Sequence, residues 1–379
     1  MRVLLCSYFK FPLGCAGAIR HEKFAQMLQQ IGHEVLIVGL GEFNNFKIES
    51  YNGIKYTSFR YSSTSLISKI VMRLKYWNNL KRMIESYMPH CIIMDDMRPY
   101  VTIQLKAYAH KKNIKLIHDS VEWYSPEQFK LGVFSPAYIK KDIVNRFLVD
   151  RSMNVIAISR YLTDYYTSKK INCVNIPIVV TEEDLIKEKT IGDMVNFVYA
   201  GQAGKKDYID IVLKAMMMLP QEELSKFKFH ILGCTEEQLL LNGVSQVTID
   251  SIRSSLIFYG RVPRLRVLEV LKQSDFTVLM RSETQRYAKA GFPTKLVESL
   301  SHSTPVIANL TSDMELYLKD GNNSLIVPEC TSEALVKVLQ KAIELPLKTR
   351  REMCENAYQT AKTKFYYTNF IPDLKAVIE

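Results

Sequence analysis

Short apolar runs alternate with longer amphipathic stretches along most of this chain of 379 residues. The runs are bounded by turn-forming residues, which is typical of strands buried on both faces of a parallel sheet. The stretches between them repeat apolar residues at helical spacing. Strands are predicted at residues 3–7, 34–39, 91–94, 115–117, 155–159, 196–200, 228–233, 256–260, 276–280, 305–309 and 324–327. Helices are predicted at residues 20–31, 66–87, 208–219, 265–273 and 332–345.

The strand pattern stops once and then begins again. The stretch TEEDLIKEKTIGDM, residues 181–194, is highly charged and nearly free of apolar residues, as linkers between domains often are. The chain is also long enough for two domains that each bury a core. We therefore expect an α/β protein with two doubly wound domains, residues 1–185 and 186–363, with a cleft between them. Ligands of such sheets bind beyond the carboxyl ends of the strands.

Composition narrows the functional classes. The seven cysteines are scattered and form no Cys-x-x-Cys pair, so neither a disulfide framework nor a zinc site is expected. No apolar run is long enough for a signal peptide or a membrane span, and we expect a cytoplasmic protein. The formal charge of +11 favours an anionic partner: a phosphorylated ligand, an acidic membrane surface or nucleic acid. Motifs of nucleic-acid-binding folds are missing, so nucleic acid is not expected.

Two loops of the first half carry residues suited to chemistry. Gly14 and Gly17 precede a helix predicted to begin near Ala18, where the backbone could approach a ligand closely. An ordinary glycine loop explains them equally well, and their spacing is not that of a dinucleotide-binding motif. The segment HDSVEW, predicted to follow the strand at 115–117, contains His118, Asp119 and Glu122. These could act as general acid, general base or sugar-hydroxyl ligand, or as a structural histidine and a capping aspartate.

Two loops of the second half carry the features of a phosphate site. Gly201 and Gly204 lead to Lys205 and Lys206 immediately before a helix, and this order of strand, glycine loop and helix N-terminus is typical of diphosphate binding. The segment GFPT, residues 291–294, offers backbone amides at the start of another helix. Glu298 follows on its first or second turn, where a carboxylate could accept hydrogen bonds from ribose hydroxyls.

The order of these segments resembles that of nucleotide-sugar glycosyltransferases with the GT-B fold, and specifically the retaining glycosyltransferase family 4. The resemblance spans nearly the whole chain. It rests on GCAGAIRHEKFAQMLQQIGHEVLIVG, DRSMNVIAISRYL, YAGQAGKKDYIDIVLKA, LIFYGRVPRLRVLEVLKQSDFTVLMRS, RSETQRYAKAGFPTKLVESLSHSTPVIAN and DGNNSLIVPE, in this order. In this family the final helix crosses back onto the first domain, which we place at about residues 364–379.

The resemblance implies roles for the matching positions. His118, Asp119 and Glu122 would be the catalytic residues, with His118 or Asp119 touching the sugar near the reacting carbon. Glu298 would contact the ribose and Lys205 or Lys206 the diphosphate. The full donor-binding set is Gly14, Gly17, Gly201, Lys205, Lys206, Arg261, Ala290, Gly291, Phe292, Pro293, Thr294, Lys295 and Glu298.

Two positions depart from the family pattern. Members commonly have two glutamates eight positions apart, and the first of these is Ala290 here. The diphosphate loop of the family often opens with Gly-Arg, whereas Gln202 follows Gly201. The first departure leaves the transferred sugar open, and the second leaves Lys205 and Lys206 to supply the positive charge.

The implied reaction is transfer of a glycosyl group, of hexosyl type, from a UDP- or GDP-linked sugar to an acceptor hydroxyl with retention at the anomeric carbon. No Asp-x-Asp triplet occurs in the sequence, so we expect no metal and no cofactor other than the nucleotide sugar. The expected acceptor is a glycan or a polyprenyl-diphosphate-linked sugar in the synthesis of bacterial surface polysaccharide, such as capsule, O-antigen or exopolysaccharide. A GT-B partner protein that binds nucleotides without catalysis is the alternative, and a nicotinamide dehydrogenase is disfavoured because GxGxxG is missing.

A basic amphipathic helix is predicted at residues 66–84. Its apolar residues recur at helical spacing with lysines and arginines around them, a pattern compatible with an anionic membrane surface. The same pattern fits a helix that faces the core and exposes a basic side to water. Peripheral association with the inner face of the cell membrane therefore remains open at this stage.

Overall fold

The computed structural model describes residues 1–12, 15–41, 46–60, 66–95, 97–202, 204 and 206–379. Contacts within the chain divide it into two compact units. The first unit comprises Met1–Val179 together with Tyr367–Glu379, and the second comprises Val180–Tyr366. The sequence prediction placed the divisions after residues 185 and 363. The assignment of acceptor and donor to the two units stays a prediction.

Strands and helices alternate in both units. The strands are β1 (Arg2–Lys10), β2 (Glu34–Gly41), β3 (Glu49–Tyr51), β4 (Ile54–Arg60), β5 (Cys91–Asp95), β6 (Lys115–Ser120), β7 (Asn154–Ala157), β8 (Cys173–Asn175), β9 (Val195–Ala200), β10 (Phe227–Leu232), β11 (Leu256–Gly260), β12 (Phe276–Leu279), β13 (Val306–Asn309) and β14 (Ser324–Val327).

The helices are α1 (Ala16–Gln30), α2 (Leu66–Tyr87), α3 (Pro99–Lys112), α4 (Pro136–Ile143), α5 (Arg160–Ser168), α6 (Ile209–Met217), α7 (Gln221–Leu224), α8 (Glu236–Leu241), α9 (Gln246–Ser251), α10 (Arg264–Gln273), α11 (Arg286–Ala290), α12 (Thr294–Ser301), α13 (Ser332–Glu344), α14 (Leu347–Lys364) and α15 (Ile371–Ile378). A π-helical turn, Val144–Leu148, continues α4.

The sheet of the first unit has the order β3-β4-β2-β1-β5-β6-β7-β8 in the described chain. All neighbouring strands are parallel except the hairpin of β3 and β4. Both faces are covered. Leu5 and its neighbours pack with α1 and α15 on one face, while Leu4 and its neighbours pack with α2 and α3 on the other. Burial on both faces explains the unbroken apolar runs of these strands.

The sheet of the second unit is entirely parallel, in the order β11-β10-β9-β12-β13-β14. Relative to the chain, this is the 3-2-1-4-5-6 order of the Rossmann fold, in which the strand order reverses between the first and fourth strands. Phe197, Phe227 and Phe276 lie fully buried at the centre of its core. The loops that follow β9 and β12 therefore lie side by side at the reversal point.

The predicted fold class, two doubly wound parallel α/β domains, is confirmed. The predicted strands all occur, with ends shifted by a few residues. Strands β3, β4 and β8 were missed because they are short or alternate exposed with buried residues at the edges of the sheet.

Helix α2 coincides with the predicted basic amphipathic segment. In its second half, Leu80 and Ile84 are buried in the core of the first unit, as the core-facing alternative requires. The side chains of residues 66–74 lie outside the described part of the chain. Among the described residues, no helix combines the length and the apolar character needed to cross a membrane.

Candidate functional site

Charged side chains converge at the reversal point of the second sheet. The loop after β9 contains Asp207, and Arg281 lies just after β12. The two residues pair through a backbone bridge, which holds the two loops together. Lys295 reaches the same place from the first turn of α12. Three elements that are distant in sequence thus deliver two cations and one anion to one point.

Asp207 is partly buried and lies between the two cations. The Lys295 ammonium donates a hydrogen bond to its carboxylate, and the Tyr199 hydroxyl lies 3.3 Å from the same oxygen. Although burial alone would raise the pKa of Asp207, the charges of Lys295 and Arg281 hold it below its ordinary value. Asp207 therefore stays ionised and fixes the ammonium of Lys295, which also lies 4.3 Å from the centre of the Tyr199 ring.

Arg281 is buried without a full set of partners. Its exposed fraction is 6%, and its Nε lies 3.9 Å from Oδ1 of Asp207. Its Nε and Nη1 make no hydrogen bond within the described part of the chain. The Asn309 side chain fixes the main chain of Arg281 through two hydrogen bonds, of 2.9 and 2.8 Å. A buried guanidinium with unpaired N–H groups destabilises the fold unless an anion accepts hydrogen bonds from those groups.

The glycine loop after β9 lies against Lys295. A Cβ atom on Gly201 would lie 2.0 Å from Nζ of Lys295, so only glycine leaves room for the ammonium. The carbonyl of Lys206 accepts a hydrogen bond of 2.6 Å from the Tyr287 hydroxyl, which fixes the end of the loop. Lys205, predicted to meet the diphosphate, lies outside the described residues.

The segment before α12 has the predicted form. Ala290 ends helix α11 and is fully buried, and Gly291 and Phe292 lead in extended backbone to Pro293, the N-cap residue. The side chain of Pro293 makes no capping hydrogen bond, so this N-cap residue leaves the first-turn amides at Thr294 and Lys295 unused. The helix dipole adds positive potential at this end.

Glu298 lies on the second turn of α12 and is partly buried. Its Oε1 lies 3.3 Å from Nη2 of Arg264, the first residue of α10. Burial raises the pKa of Glu298, and the charge of Arg264 opposes this shift. Arg261, also predicted to bind the donor, is exposed in the loop after β11. Arg264 was not predicted, although it begins the helix three residues after Arg261.

The candidate catalytic segment of the first unit is placed differently from the prediction. Strand β6 continues to Ser120, so His118 and Asp119 belong to the strand itself, and only Glu122 lies in the loop beyond it. The strand is longer than its apolar run because its polar residues face buried partners. Both His118 and Asp119 are almost completely buried.

Asp119 forms a buried salt bridge with Arg20 of α1. Both of its oxygens accept hydrogen bonds from the guanidinium, at 2.8 Å from Nε and 2.9 Å from Nη2. Two further guanidinium protons go to the carbonyls of Ile176 and Pro177. Asp119 thus ties α1 to the sheet, and its predicted role as a catalytic acid or base stays a prediction.

His118 is buried and uncharged. Burial lowers its pKa to about 3, the charge of Lys141 adds to this shift, and the Asn145 side chain opposes it. The imidazole is therefore neutral near pH 7 and can donate one hydrogen bond and accept another. Lys141 and Asn145 belong to α4 and the π-helical turn that continues it.

The glycines of the first loop also differ from expectation. Helix α1 begins at Ala16, so Gly17 lies within its first turn and not before it. A Cβ on Gly17 would lie 2.7 Å from the Phe9 ring, which explains why the residue is glycine by packing. Gly14 lies outside the described residues.

A histidine and two carboxylates meet near this loop. Ligand atoms of His21, Asp95 and Asp119 all lie within 4.8 Å of one another in the described chain. The group does not fit a cation well, because Arg20 already occupies both oxygens of Asp119. Burial lowers the pKa of His21 to about 4, so it is neutral near pH 7.

Comparison with known proteins shows which family and which solved structures this chain resembles. Residues 181–360 match the family model described as glycosyl transferases group 1. None of the curated proteins matches the chain. Among solved structures, sucrose-phosphate synthase from Thermosynechococcus elongatus superposes with a TM-score of 0.77 at 14% identity, covering 99% of this chain and 98% of the other.

Two further structures are similar. WaaG, a glycosyltransferase involved in lipopolysaccharide biosynthesis, gives a TM-score of 0.69 at 14% identity over 99% of this chain and 98% of its own. Anabaena Alr3699/HepE, solved in complex with UDP and glucose, gives 0.69 at 11% identity with the same coverage. The second unit of this chain thus matches the glycosyl transferases of group 1, and the chain as a whole has the GT-B fold.

Proposed function

We propose that this protein is a glycosyltransferase that moves a sugar from a nucleotide diphosphate sugar to an acceptor hydroxyl. The observation that carries the proposal is the cluster of Arg281, Lys295 and Asp207 at the reversal point of the second sheet, inside the region that matches group 1 glycosyl transferases. Open α/β sheets bind their ligands at this point. The cluster holds more N–H donors than its own carboxylate uses.

The donor diphosphate is proposed to bind Arg281, Lys295 and the first-turn amides of α12. A diphosphate is the anion that would complete the two unpaired nitrogens of Arg281. Lys206, and Lys205 from the sequence, would add charge from the glycine loop. Glu298, one turn further along α12, is proposed to accept hydrogen bonds from the ribose hydroxyls. Helix α12 would then bind both the diphosphate and the ribose of the nucleotide.

These groups also suit the chemical step. Cleavage of the glycosidic bond to the diphosphate leaves negative charge on the departing phosphate oxygen, and preorganised cations stabilise that charge. With two cations and helix amides in place, we propose that no metal ion is required. Retention at the anomeric carbon, as in family 4, is part of this proposal.

The first unit is proposed to bind the acceptor. Neutral His118 could hydrogen-bond a sugar hydroxyl, and Glu122 lies in the loop just beyond. By likeness to WaaG, a glycosyltransferase involved in lipopolysaccharide biosynthesis, we propose a glycan or polyprenyl-diphosphate-linked acceptor in surface polysaccharide synthesis at the cytoplasmic side of the membrane. HepE, solved with UDP-glucose as well, supports a UDP-linked hexose as the first donor to test.

A catalytically inactive nucleotide-binding protein is the second candidate. It is favoured by Ala290, which is fully buried where many family members have a glutamate. Its small side chain brings no carboxylate to the start of the segment that leads into α12. Such a protein would bind nucleotides through the same cluster without transferring sugar.

A panel of nucleotide sugars tests the proposal. Thermal stabilisation of the purified protein by UDP-glucose or GDP-mannose, followed by release of UDP or GDP with an acceptor present, is the expected result. Stabilisation without any hydrolysis or transfer would select the inactive protein. The absence of stabilisation by every nucleotide and nucleotide sugar would overturn both candidates. Chelation of divalent metals during the assay tests metal independence.

A further inference from the structure

An apolar surface patch covers the segment 131–147 of the first unit. Phe134 and Phe147 have exposed fractions of 78% and 72%, and Leu131 has 64%. Val133 and Ile139 are also exposed. Single exposed apolar side chains are ordinary in proteins, but five within seventeen residues concentrate exposed apolar surface in one segment. We propose that this patch, called the docking face below, binds the surface of an anionic phospholipid bilayer.

The second half of the docking face is one side of a helix. Ile139, Ile143 and Phe147 recur at intervals of four along α4 and the π-helical turn after it, and none of them is buried. The opposite side of the same helix carries Val144 and Asn145, which are buried. The side of the helix that packs against the first unit therefore carries both apolar and polar residues, and the side towards the solvent carries an apolar stripe. An ordinary surface helix has the opposite arrangement.

Cations surround the docking face. Lys130, Arg146 and Arg151 are exposed in or next to the same segment, and Arg146 is paired with Asp142 at 2.7 Å. An open hollow of about 460 Å³ lies next to Phe147 and is lined by Arg146, Arg151 and Lys169. Its one carboxylate, Asp150, is already paired with Lys106 at 2.6 Å. Apolar tips that enter the acyl boundary beside cations that meet lipid phosphates are the combination that binds anionic membranes.

The cations around the docking face favour an anionic bilayer over a second copy of this chain. A second copy of this chain would bring the same cations against these, and the formal charge of +11 would add repulsion. An anionic bilayer offers the opposite charge together with an apolar interior. In α2, the other membrane candidate, Leu80 and Ile84 are used by the core, whereas the exposed apolar residues of the docking face are not.

The docking face lies one helix away from the candidate catalytic histidine. The inner side of the same helix brings Lys141 and Asn145 near His118. An α-helix with its side chains is about 10 Å across. If the proposed function holds, a lipid-linked acceptor would have only this distance to cover; the docking itself does not depend on glycosyl transfer.

Vesicle flotation tests the proposal with the full chain. Wild-type protein should float with vesicles of phosphatidylcholine mixed with phosphatidylglycerol, bind vesicles of phosphatidylcholine alone much less, and dissociate as salt is raised. The double variant Phe134→Ser, Phe147→Ser should lose about tenfold or more in affinity for the vesicles. Each ring that enters the bilayer removes apolar area from water, and the serine variants lack that area. The matched control is Leu241→Ser with Val247→Ser, two exposed apolar residues of the second unit.

Charge variants separate the two contributions. Lys130→Gln with Arg151→Gln should weaken binding to phosphatidylglycerol vesicles several-fold, whereas Lys348→Gln with Lys364→Gln, at exposed positions of the second unit, should not. Circular dichroism and nucleotide-sugar binding should be unchanged in every variant, which separates failure here from failure of the proposed function. Wild-type protein that does not bind the anionic vesicles would overturn the proposal. So would equal binding by the Phe134/Phe147 variant, or a dimer without lipid that this variant abolishes.

Discussion

The ammonium of Lys295 occupies the space that a side chain at residue 201 would need. A Cβ on Gly201 would lie 2.0 Å from Nζ and 2.6 Å from Cε of Lys295. Both atoms are at the far end of a flexible side chain, so the chain can fold with alanine there if Lys295 moves. The glycine is thus required by the position of a cation rather than by the backbone.

We therefore predict that Gly201→Ala folds normally but binds nucleotide sugar about tenfold more weakly, the order expected for one charge-assisted hydrogen bond. Gly204→Ala is the matched control, because the nearest atom to its Cβ would be 3.9 Å away. Isothermal titration of both variants with UDP-glucose measures the difference. Equal affinities would show that Lys295 does not contact the donor.

Arg281→Gln should separate donor binding from stability. Removal of a buried guanidinium with two unpaired nitrogens should leave the melting temperature of the free protein unchanged or higher. The stabilisation by donor should be largely lost, with an affinity reduced by about tenfold or more. Arg351→Gln, an exposed arginine of the same unit, should behave as wild type. Full donor stabilisation of Arg281→Gln would remove Arg281 from the site.

Glu298→Gln should distinguish the nucleoside end of the donor from the diphosphate end. Loss of the carboxylate should weaken UDP and UDP-glucose alike by about tenfold, because hydrogen bonds from ribose to a charged group are lost. Competition by inorganic pyrophosphate should be retained, since Arg281 and Lys295 remain. A parallel loss of pyrophosphate binding would place Glu298 in the phosphate site instead.

Asp119→Asn should act on stability before it acts on chemistry. The substitution leaves the Arg20 guanidinium buried without its charge partner, a loss of about 3–5 kcal/mol in such pairs. Urea unfolding should show a weaker first unit, and donor stabilisation of the second unit should persist. The double variant Arg20→Met, Asp119→Leu should recover part of the loss. An Asp119→Asn protein of normal stability that lacks transferase activity would restore a catalytic role.

Stability should fall as the pH drops from about 6.5 towards 4. His21 and His118 have pKa values lowered to about 4 and about 3, whereas in the unfolded chain they titrate near 6.5. Between these values the unfolded state binds more protons, so the free energy of unfolding decreases by up to ~1.4 kcal/mol per pH unit for each histidine. Urea unfolding at several pH values measures the slope. His21→Asn or His118→Gln should reduce it, and an unchanged slope would exclude that histidine.

Much of the fold followed from local patterns, and much of the site did not. Strands buried on both faces have continuous apolar runs, so their number, order and approximate ends could be predicted. The glycine loop and the start of α12 could be predicted because backbone amides at a helix N-terminus need little tertiary context. Position after a buried strand was also the signal that could have identified Arg281 and Asp207.

Pairings across the fold were out of reach. Asp119 looked available because nothing in HDSVEW shows that Arg20, far away in the chain, forms a salt bridge with it. Lys295 was identified as a donor ligand, but its contact with Asp207 depends on three separate elements meeting. The burial of Leu80 and Ile84 in α2 could not be predicted for the same reason. An apolar helical stripe has the same sequence pattern whether it faces a core or a solvent.

The position of helix α15 at the end of the sequence affects the order in which the two units can fold during synthesis on the ribosome. Leu374, Val377 and Ile378 lie in the core of the first unit, and the carbonyl of Val377 accepts a hydrogen bond from Asn154. This segment follows Val180–Tyr366 in the chain, so it emerges only after the whole second unit has been made. Domains generally finish folding in the order of their synthesis. Here the unit that begins first must wait, with part of its core open, until the other is complete.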